Sequence, residues 1–143
     1  MFPKSVLFVC TGNTCRSPMA QGLLEHILKQ KNIEGVSCSS AGLSAFDGEA
    51  ASEHSIDAMS EIGIDISSHR SRTITRDMLS NTELIVCLSR GHYDALRSFV
   101  DESRLRVLGD GISDPYGMSY ARYVRTRDEI EAAVAALAEE LYD

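Results

Sequence analysis

An α/β fold, with one short parallel sheet of about four strands and helices on both faces, follows from three features of the sequence. Apolar runs of strand length alternate with segments of helical spacing, the pattern of right-handed βαβ units. Two of those runs, SVLFVC and LIVCL, have almost no polar interruption, as strands covered on both sides do. A chain of 143 residues, 43% hydrophobic and 24% charged, suits one domain (1–143) around one core.

The first strand is Ser5 to Cys10. The segment Pro18 to Lys29 follows as a helix, with Met19, Leu23, Leu24, Ile27 and Leu28 at helical spacing and Ser17-Pro18 as N-cap and first helical residue. Val36 to Ser40 is the second strand, and Glu49 to Ile62 a helix stopped by Gly63, which suits a left-handed C-cap. Glu83 to Ser89 is the third strand and Arg104 to Leu108 a weaker fourth, with short helices at Thr75 to Leu79 and His92 to Phe99. The last helix, Tyr120 to Leu141, puts Ile130, Val134, Leu137, Ala138 and Leu141 on one face; its acids read as the solvated face.

With 21 acids against 14 bases the net charge is -7, which disfavours binding along DNA or RNA backbones. No stretch reaches the ~20 apolar residues of a membrane span, and the N-terminal run is too short for a secretory signal. Cys10, Cys15, Cys38 and Cys87 contain no CxxC pair and no zinc spacing, so neither a disulfide scaffold nor a metal site is expected. These features predict a reduced, cytoplasmic monomer without a cofactor. Cys38 and Cys87 fall inside strand runs and read as small core residues. His26, His54 and His92 share no ligand spacing and read as surface residues, and Arg70, Arg72 and Arg76 form a small basic cluster.

In a parallel sheet, ligands sit beyond the carboxyl ends of the strands, and the first such end is Cys10. From there CTGNTCRS leads to a helix N-terminus, and Gly12 and Asn13 tolerate the positive φ of a curled loop. Such a loop aims successive N–H groups inward, and the helix adds the positive end of its dipole. The product is a cradle for a tetrahedral oxyanion that Arg16 can close with a bidentate fork. The same field favours Cys10 as a thiolate, a nucleophile seated beneath bound phosphorus.

CTGNTCRSPMA resembles the active-site loop of the low-molecular-weight protein tyrosine phosphatases, and Asp114-Pro115-Tyr116 resembles their Asp-Pro loop. Length and element order agree, so the resemblance spans essentially the whole chain. It implies Cys10 as the nucleophile that forms a phosphocysteine, Arg16 as the phosphoryl clamp and Asp114 as general acid and then general base. The loop residues Thr11, Gly12, Asn13, Thr14, Cys15 and Ser17 would surround the phosphate, with Ser17 donating a hydrogen bond to the thiolate. Ser40 and His69 match positions that buttress Asn13, and Phe46 matches an aromatic wall of the cleft, with Tyr116 near it. The resemblance also allows Cys15 to form a disulfide with an oxidised Cys10; otherwise it is a packing residue.

Phosphorylated proteins are the implied substrates. Phosphotyrosine members usually carry Ile or Leu where Thr14 stands, and the likeness is nearest to the bacterial protein arginine phosphatases, which share CTGNTCRS. A guanidinium offers N–H donors to the Thr14 hydroxyl, whereas a phenyl ring would leave it unpaired. Gly117 also replaces a second tyrosine that would stack on a phenyl ring, although those arginine phosphatases tend to have Phe where Tyr116 stands. Phosphoarginine is therefore the expected substrate, phosphotyrosine the alternative. Arsenate reduction on the same loop would require further redox cysteines.

Overall fold

A computed structural model describes residues 2–143. Strand β1 is Ser5–Cys10, with Val6, Phe8 and Cys10 on one face of the sheet and Leu7 and Val9 on the other. Both faces are buried, which is why the run tolerates no polar residue. Strands β2 (Ser37–Gly42), β3 (Leu84–Cys87) and β4 (Leu105–Val107) complete a four-stranded, all-parallel sheet in the order β2-β1-β3-β4. The connection after β1 runs to β2 on one side, and the next crosses back past β1 to β3 on the other. The strand order therefore switches beside the carboxyl end of β1 at Cys10, where such folds open a crevice.

Helices α1 (Arg16–Gln30), α2 (Glu53–Ser60) and α5 (Tyr120–Tyr142) cover one face, where Met19, Leu23, Leu24, Met59, Ile130 and Val134 pack on Val6 and Phe8. Helices α3 (Arg76–Asn81) and α4 (Arg90–Leu96) cover the other, bringing Leu79 and Leu96 against Leu7, Val9 and Ile85. The helices on both faces and the four strands agree with the sequence reading. The third strand is shorter at both ends, and the second runs on to Gly42.

Four local expectations are corrected. Ser17 is not the N-cap of α1: the helix begins at Arg16, and Cys15 holds the capping position without a side-chain cap bond. The Ser17 hydroxyl is engaged instead with Cys10 and Asn13, so it does not fold back onto the helix amides. Helix α2 begins at Glu53, because the Ser52 hydroxyl caps it by accepting from Ser55 N–H, while the backbone of Glu49 pairs with Ser71. Helix α4 begins two residues before His92, capped by Ser89, and ends before Phe99, which stays exposed. Cys38 is only half-buried on the edge strand, whereas Cys87 is fully buried as expected.

Gly63 does end its helix region as expected. Ile64 N–H bonds to Met59 O at 3.0 Å and Gly63 N–H to Ser60 O at 3.0 Å, with Gly63 at φ 79°. This is the paired termination that requires a left-handed residue. Gly63→Ala should therefore lower folding stability by about 1–2 kcal/mol, read as a lower denaturation midpoint with an unchanged denaturant slope; an unshifted midpoint would contradict it.

Candidate active site

The loop from Thr11 to Cys15 is held from outside by its carbonyls. Leu43 N–H bonds to Cys10 O at 2.9 Å, Ser44 N–H to Thr11 O at 3.0 Å, and Ser52 N–H to Thr14 O at 2.8 Å. His69 Nε2 donates to Asn13 O at 2.7 Å. The N–H groups of residues 11 to 15 have no protein acceptor among the described residues. Carbonyls tied outward and amides left free make an anion-binding nest at the start of α1.

Asn13 sets the curl. It has φ 58°, a left-handed conformation that asparagine tolerates better than most residues, and it is fully buried. Its Nδ2 donates to Ser17 Oγ at 2.7 Å and to Ser40 Oγ at 3.0 Å, while its Oδ1 accepts from Arg72 N–H at 3.0 Å. Ser40 in turn donates to Gln21 Oε1 at 2.8 Å. Gly12, by contrast, does not adopt positive φ, so Asn13 alone supplies the left-handed step.

The amide of Asn13 can only donate to Ser17, which leaves the Ser17 hydroxyl hydrogen for Cys10. Ser17 Oγ lies 2.8 Å from Cys10 Sγ, a short contact for sulfur that suits a hydroxyl donating to a thiolate. Arg16 is buried, its NH1 donating to Ile112 O at 2.9 Å and its NH2 lying 3.7 Å from Asp114 Oδ2. Cys10, Thr11, Gly12, Thr14, Cys15, Arg16 and Asp114 all line one cavity of about 340 Å³, the size of a small-ligand site. Phe46 and Tyr116 flank it and are 77% and 75% exposed. Cys15 is buried, with Tyr123 OH at 3.4 Å and Ser52 Oγ at 3.6 Å from its sulfur. Ser40 and His69 stand behind the loop, both bonded to Asn13.

Gly117 has a backbone reason to be glycine. It stands at φ 76° in the third position of a turn closed by Met118 N–H to Pro115 O at 2.9 Å. A turn with positive φ at this position favours glycine, and a tyrosine would adopt it only under strain.

Several site residues had no signal in the motifs. Gly42 must be glycine, since a Cβ there would meet Thr11 O at 2.5 Å; its place at a strand end was the available hint. Ser44 and Glu49 also line the cavity. Arg72 braces the loop through its N–H to Asn13 and its Nε to Ser40 O at 3.0 Å, so it belongs to the scaffold rather than to a steering patch.

His92 overturns its surface reading. It is buried, with Nδ1 2.8 Å from Ser89 Oγ and Nε2 2.9 Å from Thr11 Oγ1, so it props the loop from the α4 side. The spacing of Ser89 and His92, an N-cap followed three residues later by a polar side chain, was the signal for it. Burial, with a further push from the Arg16 guanidinium, lowers its pKa to about 4, so the imidazole is neutral above that pH. His69 is also lowered, first by burial and then by Arg70 and Arg72, against its bond to Asn13.

Residues 5–143 match the family model described as low molecular weight phosphotyrosine protein phosphatase. A protein-arginine-phosphatase of Geobacillus stearothermophilus is 36% identical over 149 residues, covering 97% of each chain. Arsenate reductase 1 of Staphylococcus epidermidis is 37% identical over 139 residues, covering 96% of this chain and 98% of that one. Among solved structures, a mutant of the YwlE arginine phosphatase with a phosphorylated active-site serine superposes with a TM-score of 0.89. It is 31% identical, over 96% of this chain and 95% of the other.

The two lowered histidines give folding stability a defined pH dependence. Between the ordinary histidine value near ~6.5 and about 4, the unfolded chain binds a proton at His92 that the folded chain refuses. Stability should therefore fall as pH drops through that window, and His69 adds in the same direction. Denaturation midpoints measured from pH 7 to 4 should decline, and less steeply in His92→Gln; a flat wild-type profile would contradict the assignment.

Proposed function

The chain belongs to the low molecular weight phosphotyrosine protein phosphatase family, and from that premise we propose that it dephosphorylates proteins through a phosphocysteine, with phosphoarginine as its preferred substrate. The observation that carries the reading is Cys10 Sγ in the cavity that Arg16 and Asp114 also line, held 2.8 Å from a Ser17 hydroxyl free to donate to it.

In the first step the Cys10 thiolate attacks phosphorus and the bond to the leaving nitrogen breaks. Asp114, entering as the carboxylic acid, gives its proton to that nitrogen, so that the phosphorylated guanidinium departs as a guanidinium rather than as the strongly basic neutral guanidine, a poorer leaving group. Arg16 takes two phosphoryl oxygens in its fork, and the free N–H groups of the loop take the charge that builds in the transition state. In the second step the Asp114 carboxylate accepts a proton from water, water oxygen bonds to phosphorus, and the P–S bond breaks. Orthophosphate leaves and the thiolate is restored. Asn13, Ser40, His69 and His92 act by holding the loop. No step calls on a metal or an organic cofactor.

Thr14 supports phosphoarginine. Its side chain lines the cavity, and its hydroxyl has only a 3.8 Å contact with Cys15 Sγ within the protein, leaving it open to a guanidinium N–H. A phenyl ring would bury that hydroxyl unpaired, at a cost of about 1–3 kcal/mol, or roughly 5- to 150-fold. The phosphotyrosine reading keeps the support of two exposed aromatics, Phe46 and Tyr116, at the cavity mouth. The arsenate reductase reading is weaker. Cys87 is fully buried on the face of the sheet opposite Cys10, and burial pushes its thiol up to about 12. It is poorly placed to relay a disulfide outward.

Turnover on phosphoarginine and phosphotyrosine peptides, compared side by side, tests the substrate directly. Cys10→Ser should abolish steady-state turnover while inorganic phosphate still binds; turnover near wild type would end the covalent mechanism. Thr14→Ile should lower kcat/KM for phosphoarginine and raise it for phosphotyrosine, shifting their ratio by about 5- to 150-fold. An unchanged ratio would remove Thr14 as the discriminator.

A further inference from the structure

One titratable side chain of the cavity has no part in the steps above. Glu49 lines the cavity together with Ser44 and Phe46, and its carboxylate has no ion-pair or hydrogen-bond partner among the described residues. Its backbone, however, is pinned. Glu49 N–H donates to Ser71 Oγ at 3.0 Å, Ser71 N–H donates to Glu49 O at 2.7 Å, and Gly48 N–H donates to Ser71 O at 2.8 Å. Ser71 is buried, and next to it Arg72 braces Asn13. The carboxylate is therefore carried on a segment tied to the scaffold of the loop itself.

A second carboxylate in this cavity works against the ligand already assigned to it. The bound phosphoryl group is an anion, and among the described residues Arg16 is the one guanidinium lining the cavity to balance it. Glu49 repels a dianion joined to a neutral ring, as in phosphotyrosine. The balance changes only if the substrate brings its own positive charge next to the phosphorus. Phosphoarginine does so, since its phosphoryl group is attached to a guanidinium whose remaining N–H groups point away from phosphorus in a planar fork that matches a carboxylate.

Resting on the phosphoarginine reading, we propose that Glu49 is a specificity-determining residue that receives the guanidinium of the substrate, sharing it with the Thr14 hydroxyl. It favours phosphoarginine by attraction and disfavours phosphotyrosine by repulsion, so one side chain acts on the ratio from both directions. A lysine or arginine next to the phosphorylated residue in a substrate protein could offer the same positive charge, and the test separates the two sources.

The test measures kcat/KM of wild type, Glu49→Gln and Glu49→Lys on four substrates. These are free phosphoarginine, a phosphoarginine peptide with neutral flanks, and phosphotyrosine peptides with alanine or with lysine flanks. The expected result is a fall of about 5- to 20-fold in the phosphoarginine-to-phosphotyrosine ratio for Glu49→Gln, with free phosphoarginine showing it fully. Glu49→Lys should lower the ratio further. Unchanged ratios in both variants, with a wild type that prefers phosphoarginine, would overturn this role and leave the substrate reading standing. A loss seen only on the lysine-flanked peptide would assign Glu49 to a neighbouring residue and overturn it too. A wild type that does not hydrolyse phosphoarginine would overturn the substrate reading first, and the role of Glu49 with it.

Discussion

The left-handed turn at Asn13 is the constraint on which the site depends. A single residue at φ 58° reverses the loop so that its carbonyls face the protein and its amides do not. Left-handed backbone costs on the order of 1–2 kcal/mol for an ordinary L-residue, and asparagine lowers but does not remove that cost. The offset comes from a fully satisfied buried amide, with Ser17, Ser40 and the Arg72 backbone as its partners. Those bonds have a second consequence: by occupying a lone pair of Ser17, Asn13 directs the hydroxyl hydrogen toward Cys10. Loop shape and the hydrogen-bond partner of the Cys10 sulfur are thus governed by the same side chain.

The site is supported from three directions. Strand β2 brings Ser40 and the glycine that lets Thr11 approach. The segment around His69 and Arg72 supports Asn13 from behind, and α4 supports Thr11 through His92. Each support is neutral or points its charge elsewhere. His92 is kept uncharged by burial and by Arg16, so Arg16 remains the principal cation of a cavity in a protein of net charge -7. The positive potential of the cavity is a local property, made from backbone dipoles and one clamped guanidinium. Burial strengthens both by lowering the effective dielectric around them.

Much of the fold was legible because its signals are local. The apolar run from Val6 to Cys10 reads as a doubly buried strand from composition alone, and Gly63 reads as a helix stop because few residues tolerate φ near 79°. Where the reading failed, a tertiary contact had claimed the side chain. Ser17 looked like an N-cap by position, but Cys10 and Asn13 took its hydroxyl. His92 looked like a surface residue because an imidazole in a short polar helix carries no sign of what lies opposite; only the packing of α4 against the loop decides that.

The order of residues along the chain already supplies the parts of the proposed chemistry: a thiol, a guanidinium and a carboxyl group, with a strand end and a helix start to seat the first two. Those are properties of residue type and spacing over a few positions of chain. Tertiary structure alone decided which groups meet that chemistry from far away in the sequence. It set Asp114 beside Arg16, His69 and Arg72 behind Asn13, and Glu49 at the cavity that the sulfur also lines. The physical reason is that electrostatics and hydrogen bonding act over ångströms, and distances between residues so far apart along the chain exist only once the sheet has assembled.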